Sequence, residues 1–106
     1  IEPLISKKTV GILAVDFAGH PSNYSMLNQI CDTYSLTLIQ DASQAFGARD
    51  DLGYCGKHGE ISAVSHNSMK TLASFGEAGS VLTDNEELAE RIKILRYAGD
   101  RKRLCR

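Results

Sequence analysis

Two short apolar runs, each ending on an aspartate, constrain this chain more than any other feature. Val10–Val15 leads into Asp16, and Leu36–Gln40 leads into Asp41. Both have the length and residue content of a buried strand. Between them, Tyr24, Leu27, Ile30, Cys31 and Tyr34 recur at helical spacing, and Ser22 stands where an N-cap would. A helix over 23–33 is expected, entered from a Gly/Pro-containing loop at 17–21. Strand, helix and strand within about 30 residues form a βαβ unit, so the two strands should be parallel and joined by a right-handed crossover.

The rest of the chain reads less evenly. Residues 41–59 hold Gly47, Gly53, Gly56 and Gly59, which predicts turns or very short elements. Ile61–Ser65 is a third strand candidate, 66–77 a polar loop with room for one helical turn, and Ser80–Thr83 a fourth strand candidate. Asp84 is placed to cap a second helix, with Glu87 completing a capping box and Leu88, Ile92, Leu95 and Ala98 forming its apolar stripe. Glutamates lie early in this helix and Arg91, Lys93 and Arg96 later, which suits the helix dipole. Gly99 is suited to the C′ position that stops it.

Composition narrows the class. The chain has 106 residues, enough for one domain, with 42% hydrophobic and 24% charged residues, as in ordinary globular α/β proteins. Twelve basic residues against thirteen acidic ones leave a net charge of −1, without the basic footprint of a nucleic-acid binder. No apolar run approaches the roughly 18–20 residues of a membrane helix. Cys31, Cys55 and Cys105 are odd in number and lack a Cys-x-x-Cys pair, so they read as free thiols of a reducing, cytoplasmic compartment. Cys55 and His58 have half of a zinc spacing, and no second pair completes it. The basic run Arg101–Arg103 reads as a solvated tail. The chain opens on Ile1 rather than Met and closes without a terminating element, so it reads as a piece of a longer protein.

In open α/β sheets, ligands bind outside the carboxyl ends of the strands. Asp41 ends the second strand, with Gln44 three residues on. Ser65 ends the third, with Lys70 five residues on. Each has an ordinary role open to it: Asp41 as a turn cap, Gln44 and Lys70 as solvated surface, Ser65 as a partner for a backbone group. Together they suit pyridoxal phosphate, which needs a lysine amine for a Schiff base, an acid to pair with its pyridinium nitrogen and a hydroxyl for its phosphate.

The stretches Val15-Asp-Phe-Ala-Gly-His-Pro21, Asp41-Ala-Ser-Gln-Ala-Phe-Gly-Ala48, Gly59-Glu-Ile-Ser-Ala-Val-Ser65, Met69-Lys70, Gly76-Glu-Ala-Gly-Ser-Val-Leu-Thr-Asp84 and Glu87–Arg96 carry a resemblance in content, order and spacing. Over about 8–99 the chain resembles the DegT/StrS-type sugar-nucleotide aminotransferases, which are fold-type I pyridoxal phosphate enzymes. It departs from their usual pattern at His66, Asn67 and Ala78.

The resemblance implies an α/β fold: a four-stranded, mostly parallel sheet in chain order with flanking helices and an antiparallel last strand. Residues 1–106 would form part of the cofactor-binding large domain. Asp41 would pair with the pyridine nitrogen, Gln44 would sit near the phenolic oxygen and Ser65 would hold the phosphate. Lys70 would form the Schiff base and shuttle a proton. The implied reaction is transamination of a keto-sugar nucleotide, and the 16–21 loop is most similar to those of enzymes acting on UDP-linked 4-keto-6-deoxy amino sugars with glutamate as donor. Family members build each site across a dimer, so a homo-oligomer is expected and the isolated chain's own activity stays open. The alternative is an inactive α/β piece that folds or self-associates.

Overall fold

The computed structural model describes residues 1–99; the Arg101–Arg103 run and Cys105 lie outside the described residues. The strands are β1 (Gly11–Val15), β2 (Thr37–Asp41), β3 (Arg49–Asp50), β4 (Gly53–Tyr54), β5 (Ile61–Ser65) and β6 (Gly79–Leu82). The α-helices are α1 (Tyr24–Tyr34) and α2 (Glu86–Arg96), and short 3-10 turns lie at Glu2–Leu4 and Phe17–Gly19. Strands β1, β2, β5 and β6 form one sheet in that order; β3 and β4 form a separate short hairpin. The pairs β1–β2 and β2–β5 are parallel, and β5–β6 is antiparallel. This is the four-stranded mixed sheet that the resemblance implied.

The pleat divides the sheet's chemistry. Ala14, Asp16, Leu38, Gln40, Ser62 and Val64 alternate along three strands and are all buried. The intervening Leu13, Val15 and Ile39 are exposed, as is Ala63, while Asp41 and Ser65 are half-buried. On the first face Ala14 and Leu38 pack with Tyr24, Leu27 and Cys31 of α1, joined by Ile12 and Leu36. The spacing of Tyr24, Leu27 and Cys31 puts them on one side of the helix. Each fully buried leucine there contributes about 1.5–3 kcal/mol.

Two expected caps move by one residue. Asn23, not Ser22, caps α1 by accepting from the Met26 N–H at 3.1 Å. Ser22 is already engaged, because its N–H donates to Asp16 and its hydroxyl to the Val15 carbonyl. Asn85, not Asp84, caps α2, accepting from the Leu88 N–H at 3.1 Å. At the other end of α2, Ala98 takes the first left-handed position (φ 56°) and Gly99 follows (φ 81°), with the Gly99 N–H bonded to the Ile94 carbonyl. The α2 stripe is only half-covered: Leu88 and Ile92 are partly buried, while Leu95 is 70% exposed. Among the described residues no helix is long and apolar enough to cross a membrane.

Gly59 shows how closely β2 and the approach to β5 run. A Cβ there would lie 2.9 Å from Gln40 N, Leu38 O and Ile61 O, all backbone atoms. Only glycine fits that approach.

Candidate active site

The carboxyl ends of β2 and β5 lie side by side, since Asp41 pairs with Ala63. Beyond Asp41 the chain continues the ladder through the Ala42 N–H to the Ala63 carbonyl, then turns through Ala45 N to Ala42 O and Ala48 N to Ala45 O. Ala42 and Ala45 are the buried anchors of these turns. Beyond Ser65 the loop closes through the Lys70 N–H to the Asn67 carbonyl and the Ser74 N–H to the His66 carbonyl. The His66 ring joins that loop to β6: one nitrogen lies 3.2 Å from the Leu72 carbonyl oxygen and the other 2.7 Å from Ser80 Oγ.

These two turns enclose a cleft of about 250 Å³ lined by Ser43, Gln44, Phe46, Ser65, Met69, Lys70 and Thr71. Three of the four sequence-derived site residues, Gln44, Ser65 and Lys70, therefore share one cavity. Asp41 does not line it. It stands on the same sheet face as Ser65, and Asp41 Oδ1 accepts from the Ser43 N–H at 3.0 Å, the turn-capping role open to it from sequence. Among the described residues its Oδ2 has no hydrogen bond. Ser65 Oγ accepts from the Asn67 N–H at 3.3 Å, so its own O–H is available to donate. Gln44 Oε1 accepts from the Ala18 N–H at 3.1 Å. The cleft thus offers an amine, several hydroxyls and an amide at a strand-end edge, with a carboxylate one strand away. That donor set fits a ligand with an electrophilic carbon at one end and an anionic group at another.

Behind this edge, on the α1 face, lies a polar cluster that sequence reading missed. Asp16 is fully buried; it accepts from the Tyr24 hydroxyl at 2.7 Å, the Ser22 N–H at 2.9 Å and Gln40 Nε2 at 2.6 Å. Gln40 Oε1 in turn accepts from Ser62 Oγ at 2.8 Å, the Gly56 N–H at 2.9 Å and the His58 N–H at 3.2 Å. Burial is the largest single influence on the Asp16 carboxyl and pushes its pKa up. The donors Tyr24, Ser22, Gln40 and Cys55 together outweigh it, and the carboxyl sits below its ordinary value. Burial, then the Asp16 carboxylate, pushes the Tyr24 phenol up, which keeps it a donor. The same two causes push the Cys55 thiol up to about 12. His58 stacks on Tyr24 with centroids 4.3 Å apart. Its buried Nε2 lies 3.3 Å from Asp50 Oδ1 without a well-directed hydrogen bond. The available signal was register: period two puts Gln40 with Leu38, and Asp16 with Ala14, on one buried face.

Residues 1–105 match the model of the DegT/DnrJ/EryC1/StrS aminotransferase family. The dTDP-3-amino-3,4,6-trideoxy-alpha-D-glucose transaminase of Streptomyces venezuelae is 36% identical over 97% of this chain and 27% of its own length. The UDP-4-amino-4,6-dideoxy-N-acetyl-beta-L-altrosamine transaminase of Campylobacter jejuni is 37% identical over 89% of this chain and 25% of its own. Among solved structures, NtdA of Bacillus subtilis, with its cofactor PMP bound, superposes with a TM-score of 0.83 at 37% identity, over 92% of this chain and 21% of that one. The chain spans about a quarter of the length of the curated relatives it matches. It belongs to the DegT/DnrJ/EryC1/StrS aminotransferase family, whose members depend on pyridoxal phosphate.

Proposed function

We propose that this chain carries the lysine-bearing part of the cofactor-binding large domain of a sugar-nucleotide aminotransferase. The observation that carries the reading is the gathering of Lys70, Ser65 and Gln44 around one cleft, with Asp41 on the same sheet face at the next strand end. Pyridoxal phosphate, when bound, supplies an electron-accepting ring that stabilises negative charge at the carbon next to the transferred nitrogen. Lys70 would hold it through the side-chain amine and, when that amine is free, carry a proton between reacting carbons. Ser65 would donate its hydroxyl to the phosphate. Asp41 would use the oxygen left open by Ser43 to accept from a protonated ring nitrogen. Gln44 would donate from Nε2 to an oxygen on the ring.

The substrate we assign is a UDP-linked 4-keto-6-deoxy amino sugar, with glutamate as donor, acted on in the cytoplasm. Similarity to the Campylobacter jejuni enzyme supports the UDP-sugar class. We further propose that the functional unit is a homo-oligomer. The Lys70 loop presents Met69 at 92% exposure, a fully exposed Phe75 and a half-exposed Leu72, an apolar surface suited to a protein neighbour. The isolated chain then self-associates and transaminates poorly, because much of the relatives' length is outside it. Incubation with pyridoxal phosphate, borohydride reduction and peptide mapping test the core of this reading. Label on Lys70 is expected; label spread over Lys57 and Lys93 instead overturns it. Light scattering after size exclusion tests the oligomer, and a clean monomer that transaminates a keto-sugar nucleotide refutes that part.

A further inference from the structure

An amide on an exposed turn can present either its oxygen or its NH2 group to a neighbouring cleft. At Gln44 the choice is made by a group 26 residues away. The Ala18 N–H lies 3.1 Å from Gln44 Oε1. A backbone N–H only donates, so it holds the oxygen end of the amide and leaves Nε2 free. Ala18 reaches this place through a backbone that alanine seldom adopts, φ 53° and ψ 31°, followed by Gly19 at φ 78°. The turn is secured at both ends by Asp16. The Asp16 N–H donates to the Asp41 carbonyl, and the Asp16 carboxylate takes the Ser22 N–H from the far side of the loop. A Cβ on Gly19 would lie 3.7 Å from the Gln44 carbonyl oxygen, so the turn also rests against the backbone of residue 44.

The geometry points to Ala18 as a positioning residue: its N–H fixes the Gln44 amide so that only donors remain for a ligand, and the ligand atom opposite Gln44 must be an acceptor. This rests on the pyridoxal phosphate reading of the cleft, in which that atom is the phenolic oxygen of the ring. A residue held left-handed next to a ligand site is where strain serves positioning.

The test compares pyridoxal phosphate with its 3-deoxy analogue, which lacks that oxygen, by the concentration giving half-maximal borohydride labelling of Lys70. Ala18→Val disfavours the left-handed turn and should weaken pyridoxal phosphate roughly tenfold while leaving the analogue within about twofold. Ala18→Asn, which tolerates the left-handed region, should restore the first value. Gln44→Glu still accepts from the Ala18 N–H but turns an oxygen toward the ligand, and should weaken pyridoxal phosphate more than the analogue. This exposed position carries the comparison should Ala18→Val fail to fold, which far-ultraviolet circular dichroism reports. Equal weakening of both ligands, or of neither, overturns the positioning role. If neither ligand labels Lys70 in the unaltered chain, the cofactor reading falls and this inference with it.

Discussion

Tyr24→Phe tests the buried cluster with the least disturbance to packing. The ring stays, and with it the stack on His58 and the contacts with Leu27 and Leu38. What is lost is one hydroxyl that donates 2.7 Å to a fully buried carboxylate, which retains the Ser22 N–H and Gln40 Nε2. A hydrogen bond to a charged group contributes about 1.5–3 kcal/mol, so a loss of roughly 2 kcal/mol is expected at pH 7. The Asp16 carboxyl is depressed in the folded chain, so its stabilisation is complete above the unfolded pKa of about 3.9 and disappears as pH falls through the folded value. Without the Tyr24 donor, burial is less opposed and the folded pKa rises. The difference between the two proteins is therefore greatest near neutrality. It narrows toward the roughly 1 kcal/mol of a neutral hydrogen bond as pH falls through the folded values of the two proteins. Urea unfolding followed by circular dichroism at several pH values measures it, as a midpoint shift of about 1–2 M at pH 7. A gap that is absent at pH 7, constant with pH or wider in acid would refute the reasoning.

Other expectations are briefer. Gly59→Ala drives a Cβ into three backbone atoms and should cost about 1–3 kcal/mol, read as a lower Tm. Asn23→Ala and Asn85→Ala should each cost about 1 kcal/mol by urea unfolding, and Asp84→Ala clearly less, because the asparagines are the caps used. Cys55, with its thiol pushed up to about 12, should alkylate with iodoacetamide at pH 8 far more slowly in the folded chain than in urea, as peptide mapping would show. In a longer enzyme containing this segment, Asp41→Asn should lower the single-turnover rate by roughly a hundredfold or more and change cofactor affinity little. Near-full turnover would remove Asp41 from the chemistry.

The βαβ unit was legible because two periodicities meet in it, continuous apolar runs for β1 and β2 and a 3.6-residue stripe for α1. Which face of the sheet would be covered was not, because a short apolar run looks alike from either side. Asp16 reads as the polar stop of the first run and Gln40 as the last residue of the second, yet both are buried on the face α1 covers. The caps slipped for a local reason. Ser22-Asn23 and Asp84-Asn85 each offer two cap-competent side chains in a row, and near neighbours settle which one is used: Asp16 engages Ser22, while the Asn85 N–H is turned to Thr83 Oγ1 at the start of α2. Nothing in four residues sets the direction of β6, which only the family resemblance supplied. At the candidate site, strand-end logic led to Ser65, Lys70 and Gln44. The role of Ala18 left no trace in sequence, since an alanine does not announce a left-handed backbone as a glycine can.

The two aspartates that end the first two strands show how register assigns chemistry. Val15 pairs with Asp41, so Asp16 stands one residue beyond that pair. With a side-chain period of two, a one-residue offset sends the two carboxylates to opposite faces. Asp16 falls under α1, where burial would expel its charge unless donors met it, and Tyr24, Ser22, Gln40 and Cys55 do. Its carboxylate is thereby committed to structure: it binds the turn 17–22 to the sheet and holds Ala18 over Gln44. Asp41 falls on the face α1 leaves open, with one oxygen used by its own turn. The same residue type at adjacent strand ends thus becomes a structural anchor in one case and a candidate ligand partner in the other. Shifting β1 by one residue against β2 would exchange the burial of Asp16 and Val15 and dismantle both arrangements together.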